Sequence, residues 1–292
     1  MSLGAYVREH GVAAFKFEDF IFVGEKVATD PSRLILVGGQ ALEVWSVVLN
    51  VPPPTTASTP LTEDTDWLGG KRDAQWLCKL LGDRKDVELK LAEMEEPAST
   101  AMALIRRPDG RVLVMDFLHS IVGPSTNDVK RLAVLLQVRD FSFYILHPVL
   151  CLLSRLGNLA VLPAKRNGNG IAQAEWAIDI ATAFLWKSMR EGATERQMIK
   201  ACHSIADYAE YHYGRRCYED FRVDPLRAVT PAIVSAIGGK FEAIDWPGTV
   251  RRIEAKQRSW LDIQARTSLR GSSQPSDGSA VFGRSPSARR SS

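Results

Sequence analysis

Two aspartates one residue apart, Asp64 and Asp66 in Thr-Glu-Asp-Thr-Asp-Trp-Leu-Gly, are the pair in this chain whose types and spacing best suit metal chemistry. On an extended strand, side chains i and i+2 project from the same face, about 7 Å apart along the chain. Magnesium takes a few hard oxygen ligands and completes its shell with water and substrate phosphates, so two carboxylates on a sheet edge suit a nucleotide site. A third acid, Asp116 in Arg-Val-Leu-Val-Met-Asp-Phe-Leu, interrupts an otherwise apolar strand pattern. An unpaired charge there is costly to desolvate, so it calls for a metal or a cation beside it. Taken alone, an Asp-x-Asp is more often a loop or cap feature than a metal site, and a single strand acid is commonly paired with an arginine.

What raises the odds is an upstream Gly38-Gly39, placed between the apolar run 34–37 and a helical pattern over 40–49. Such a turn puts backbone N–H groups and a helix N-terminus where a phosphate can bind, although a glycine pair between strand and helix is often only a turn. The elements that must position these residues follow in the order strand, helix, strand, helix, strand, hairpin. A strand is expected over 62–68, a helix over 72–81 with Trp76, Leu77, Leu80 and Leu81 on one side, and a half-buried strand over 86–94 from its alternation. Segments 102–107 and 111–118 flank Pro108-Asp109-Gly110, a strong turn sequence, and read as a hairpin. Beyond about residue 140 the pattern becomes helical: 148–162, a stripe of Ile171, Ala174, Ile178, Ala181 and Leu185, then 194–213, 225–237 and 248–265.

The expected organisation is therefore an α/β domain over 1–140, a mixed β-sheet with flanking helices, then an α-helical domain over 141–265. The Ser/Gly/Arg-rich segment 266–292 reads as a disordered tail, because it has almost nothing apolar to bury. Val51-Pro52-Pro53-Pro54 opens a proline-rich stretch to residue 60 that reads as a surface loop. In 292 residues, 45% are hydrophobic and 24% charged, the proportions of a globular protein. No run approaches eighteen apolar residues and the N-terminal stretch is charged throughout, so no membrane span, no signal peptide and a cytoplasmic location are expected. Five arginines against one aspartate after residue 265 hold a balance of +4 out of a net +3, leaving the body near −1. That removes the argument for nucleic-acid binding from overall charge and leaves only a contact through the tail.

Other constellations carry less. No Gly-x-x-x-x-Gly-Lys-Ser/Thr occurs, and Gly168-Asn169-Gly170 is an isolated loop rather than a dinucleotide fingerprint. Cys202, His203, His212 and Cys217 lack the pair spacing of a zinc site. The four cysteines are scattered, and no disulfide is expected. His147, before Pro148, reads as structural, and the seven tryptophans as packing.

The order Val37-Gly38-Gly39, then Asp64-Thr65-Asp66, then Asp116 resembles the nucleotidyltransferase superfamily of polymerase-beta-like fold. Leu-Val-Gly-Gly-Gln-Ala-Leu-Glu-Val-Trp, followed by Thr-x-Asp-x-Asp, is similar in particular to the abortive-infection, AbiEii-like branch, which includes toxins of toxin–antitoxin systems. His-Pro-Val-Leu-Cys-Leu-Leu-Ser-Arg-Leu-Gly-Asn-Leu is similar to the His-Pro entry of the helical domain there, so the likeness spans residues 33–187. Three features depart from the pattern: a long, proline-rich spacer from Gly39 to Asp64, Pro60 where an arginine often stands, and a threonine rather than an aliphatic residue between the aspartates.

The resemblance implies a magnesium- or manganese-dependent enzyme that moves a nucleoside monophosphate from ATP or another nucleoside triphosphate to a hydroxyl. The acceptor would be an RNA or tRNA end, a protein side chain or a small molecule. Asp64 and Asp66 would hold the metal on the nucleotide phosphates, and Asp116 would complete a second-metal site or accept the proton of the attacking hydroxyl. Gly38 and Gly39 would cradle phosphate oxygens, and Arg155, Lys165 and Arg166 would neutralise the triphosphate. An antitoxin partner is implied only by the branch. Two rivals stay open: a non-catalytic module of the same fold that binds nucleotide or a partner protein, and a metal-dependent phosphoesterase using the same carboxylates.

Overall fold

The computed structural model describes residues 11, 13–55, 65–92 and 99–272. An amphipathic helix, α1 (Phe17–Val27), leads through a 3-10 turn into β1 (Ile35–Val37), which runs directly into α2 (Gly38–Leu49). After β2 (Thr65–Leu68) come α3 (Lys71–Leu81), β3 (Val87–Leu91), β4 (Ser99–Arg106) and β5 (Val112–Leu118). Then follow α4 (Thr126–Leu132), β6 (Val134–Val138) and β7 (Phe141–Ile145). The seven strands form one mixed sheet in the order β3-β4-β5-β2-β1-β7-β6. Strand β2 is parallel to β5 and antiparallel to β1, which is itself parallel to β7.

Strand alternation makes the two faces of this sheet unequal. Leu36, Trp67, Met115, Phe117, Ala103 and Phe143 share one face by register and are completely buried. Helices α1 and α3 cover that side, with Phe20 of α1 meeting Phe143 edge-on at 5.3 Å. The opposite face carries Asp66, Asp116 and Met102 in one cross-strand row, and here Met102 is 38% exposed while both aspartates are half-buried. This second face is not uniformly polar: Val37, Leu68, Leu104, Val112 and Val114 on it are buried, and Asp66, Asp116 and Met102 form its more open part.

A buried ion cluster fastens α1 to the β4–β5 hairpin. Asp19, with no solvent exposure, accepts hydrogen bonds from Arg107 Nε at 2.9 Å and from Arg111 Nη1 at 2.7 Å. Its Oδ2 also accepts the Lys16 backbone N–H at 3.0 Å, closing the first turn of the helix. Arg107 lies over the Phe22 ring at 4.0 Å, so the guanidinium is fixed on both sides.

The rest of the described chain is helical: α5 (Pro148–Val161), α6 (Gly168–Arg190), α7 (Glu195–Glu210), α8 (His212–Phe221), α9 (Pro231–Ile237) and α10 (Trp246–Ser272). Pro148 takes the first position of α5, where its missing N–H leaves nothing unpaired, and His147 Nδ1 accepts the Val149 N–H at 3.2 Å. Helix α2 packs against both α5 and α6, and Trp45 Nε1 donates to the Leu146 carbonyl at 2.8 Å. Sheet and helices thereby share one continuous core.

Six sequence expectations need correction. Segment 225–237 is a 3-10 turn (Pro225–Ala228) followed by α9 rather than one helix, and Gly168-Asn169-Gly170 is the first turn of α6 rather than a loop. The hairpin β6–β7 lies where the chain was expected to be passing into helices, and β7 enters the sheet beside β1, so the sheet extends past the expected boundary at 140 to Ile145. Helix α1 was not anticipated. The helix expected over 194–213 is two, broken at Tyr211, whose backbone is extended (ψ 162). Helix α10 continues through residues 266–272, which were expected to belong to the disordered tail. All four cysteines are free and buried. No described helix is long and apolar enough to cross a membrane.

Candidate metal and nucleotide site

Strand β2 is short and central, flanked by β5 on one side and β1 on the other, and this placement gathers the residues singled out above. Asp66 is the register partner of Asp116 across the parallel β2–β5 pair and of Val37 across the antiparallel β1–β2 pair. Register partners project from the same face, and neighbouring strands lie about 4.8 Å apart, so the two carboxylates rise side by side from the partly open face. Asp64 lies outside the described residues.

The glycine pair sits at the same end. Val37 is the last residue of β1 and the N-cap of α2, and Gly38 begins the helix with φ +71, a left-handed value that disfavours any residue with a Cβ. A β-carbon at Gly38 would stand 1.8 Å from Asp66 Oδ2 and 2.7 Å from its Cγ. The Asp66 carboxylate therefore lies directly on the first residue of α2, at the positive end of the helix dipole. Gly38, Gly39 and Gln40 are all buried.

On the covered side of β2, Thr65 Oγ1 donates a hydrogen bond to Gln40 Oε1, and both residues are buried, Thr65 at 0% and Gln40 at 4% exposure. Neither residue stood out from sequence as part of the site. The available signals were a polar residue between two aspartates and a glutamine directly after the glycine pair.

The basic residues are placed differently from the acids. Arg155 is 7% exposed within α5, and its Nη1 donates to Gln173 Oε1 of α6 at 3.0 Å. Arg166 pairs with Asp220 at 2.5 Å and lies over the Phe221 ring at 5.4 Å. Lys165 is exposed in the 3-10 turn that follows α5. The structure thus brings Gly38, Asp66 and Asp116 together, while Arg155 and Arg166 each have a partner within the helical region.

His147 is half-buried beside the end of β7, edge-on to Phe184 at 4.7 Å, and desolvation pulls its pKa down to about 4. A neutral ring is what its capping hydrogen bond requires. Cys202 and Cys217 are buried on separate helices, Cys217 Sγ donates to the Leu156 carbonyl at 3.3 Å, and His203 lies edge-on to Phe241.

Neither a scan against protein-family models nor a search of curated proteins finds a match for this chain.

Proposed function

We propose that this chain is a magnesium-dependent nucleotidyltransferase that moves a nucleoside monophosphate from a triphosphate to an acceptor hydroxyl and releases pyrophosphate. The observation that carries the reading is the shared register of Asp66 and Asp116, both half-buried, on adjacent parallel strands. The donor set fits the metal: hard carboxylate oxygens from neighbouring strands about 4.8 Å apart can meet at one ion that takes oxygens near 2.1 Å. A bound divalent ion would supply neutralisation of phosphate charge and stabilisation of the entering and leaving oxygens.

The protein's own part is positioning and proton handling. Asp66 and Asp116, with Asp64 ahead of them, would hold the ion, and the first N–H groups of α2 at Gly38 and Gly39 would receive phosphate oxygens. Asp116 would accept the proton of the attacking hydroxyl as the new oxygen–phosphorus bond forms at the α-phosphate. The bond from that phosphorus to its bridging oxygen breaks, and its electron pair leaves with pyrophosphate. An RNA end, a protein side chain and a small molecule all present such a hydroxyl, and a toxin-like role follows the same chemistry on a cellular RNA or protein.

The test is incubation with labelled ATP, GTP, CTP and UTP plus magnesium, with cell RNA and lysate as acceptors. A labelled product and pyrophosphate are expected, both lost in folded Asp66→Asn and Asp116→Asn variants. Because the Asp66 carboxylate lies on Gly38 and repels phosphate oxygens unless a cation stands between them, nucleotide binding here requires the metal, and a chain that binds nucleotide without transferring it would be a non-catalytic module of the same fold. Nucleotide binding by calorimetry, with no label on any acceptor, would decide for it.

A further inference from the structure

Thr65 stands between the two aspartates in sequence, yet its side chain points away from that of Asp66. Alternation turns it to the covered face of β2, where no water reaches it and its hydroxyl donates to Gln40 Oε1. Burying two polar side chains is unfavourable unless they satisfy each other, and an aliphatic pair would fill the same space without that requirement. What the polar pair adds is direction: a hydrogen bond fixes one register and one rotamer, whereas apolar packing tolerates small slips.

The position of that bond gives it consequence. Gln40 is the third residue of α2, and Gly38, two residues earlier, is the residue on which the Asp66 carboxylate rests. The first turn of α2 is therefore tied to β2 by the Thr65 hydroxyl and closely approached, at the next strand residue, by the Asp66 carboxylate. Sliding β2 against α2 by even a fraction of a residue would break that tie and move the carboxylate off Gly38.

Resting on the reading above, we propose that Gln40 and Thr65 are positioning residues for Asp66: their buried hydrogen bond sets its carboxylate, beside Asp116, in the geometry that a divalent ion requires. They touch neither ion nor substrate and act through the strand. Removal of groups that orient metal ligands commonly weakens metal affinity by about 10- to 100-fold.

The experiment is a titration of the full chain with Mn2+, read from the free-ion signal in electron paramagnetic resonance, with thermal melts run on the same samples. Thr65→Val keeps the shape and removes the hydroxyl; an affinity weakened about 10-fold or more is expected. Thr65→Ser restores the hydroxyl and should return the affinity close to the parent's. Gln40→Met removes the acceptor and supplies the test should Thr65→Val fail to fold. Asp66→Asn serves as the reference for a lost ligand. The proposal is overturned if the folded Thr65→Val or Gln40→Met protein binds Mn2+ as the parent does while Asp66→Asn does not, since the bond would then serve packing alone. It is overturned equally if Thr65→Ser fails to restore binding. A parent chain that takes up no Mn2+ at millimolar concentration removes the metal reading itself, a failure distinguishable from the other two.

Discussion

The Oδ2 atom of Asp66 occupies the space that a side chain at Gly38 would need: a β-carbon built there lies 1.8 Å from it. The glycine is demanded twice, once by its φ of +71 and once by this contact. Left-handed backbone costs an ordinary residue about 1–2 kcal/mol, and the clash is additional. Gly38→Ala should therefore destabilise the protein by more than the backbone cost, measured by urea unfolding. Because the 1.8 and 2.7 Å contacts belong to the carboxylate, Gly38→Ala in an Asp66→Ala background should cost less than in the parent. A double-mutant cycle with no coupling would show that the carboxylate moves aside freely.

The same contact marks the limit of what the sequence alone could disclose. Gly38-Gly39 and the acids Asp66 and Asp116 were legible as residue types at telling positions, and the strand and helix periods around them read correctly. The β4–β5 hairpin was legible because Pro108-Asp109-Gly110 carries its turn chemistry in plain view. The β6–β7 hairpin was not, because its turn is made by Arg139 and Asp140, with Arg139 in a left-handed conformation (φ 50) that no glycine or asparagine announces. Without β7, one of the two sheet neighbours of β1 is out of sight, and the sheet reads as ending before Ile145. The link from Thr65 to Gln40 joins residues twenty-five positions apart, and local pattern does not encode it. The hydrogen bond from Arg155 to Gln173 is hidden for the same reason, since its two ends lie on different helices.

Asp19 and its arginines were likewise invisible from spacing, and they carry a stability prediction. Removing one member of a buried pair leaves the other charges uncompensated, at a cost of about 3–5 kcal/mol. Asp19→Ala should lose an amount of that order in chemical denaturation, with the loss tempered by the partial exposure of Arg107 and Arg111. A change below about 1 kcal/mol would mean that the arginines find water instead.

The same carboxyl sets an acid limb. Burial pushes the Asp19 pKa up, but hydrogen bonds from Arg111 and the Lys16 N–H, with the charges of both arginines, outweigh it and hold the pKa below its ordinary value of 3.8. A folded-state pKa below the unfolded one gives stability that is present above the unfolded value and lost as pH falls through the folded one. Thermal melts should accordingly drop in Tm below pH about 4. In Asp19→Asn, whose side chain does not titrate, that limb should flatten; an unchanged limb would assign it to other acids.

His147 predicts a separate step at milder acidity, with the sign of a desolvated base. Desolvation lowers its pKa to about 4 in the folded protein, whereas an unfolded chain titrates it near 6.5. Between those values the unfolded state binds the proton and the folded state does not, so stability falls as pH is lowered through that window and levels off beneath it. The span corresponds to about 3.5 kcal/mol at most, since one unit is about 1.4 kcal/mol. Protonation in place would also cost the Val149 N–H its acceptor, because Nδ1 could no longer receive it. Asparagine is a good N-cap without a titratable group, so His147→Asn should preserve α5 and remove the decline between pH 6.5 and 4. Urea midpoints across that range decide it: parallel curves for parent and variant would place the titrating group elsewhere.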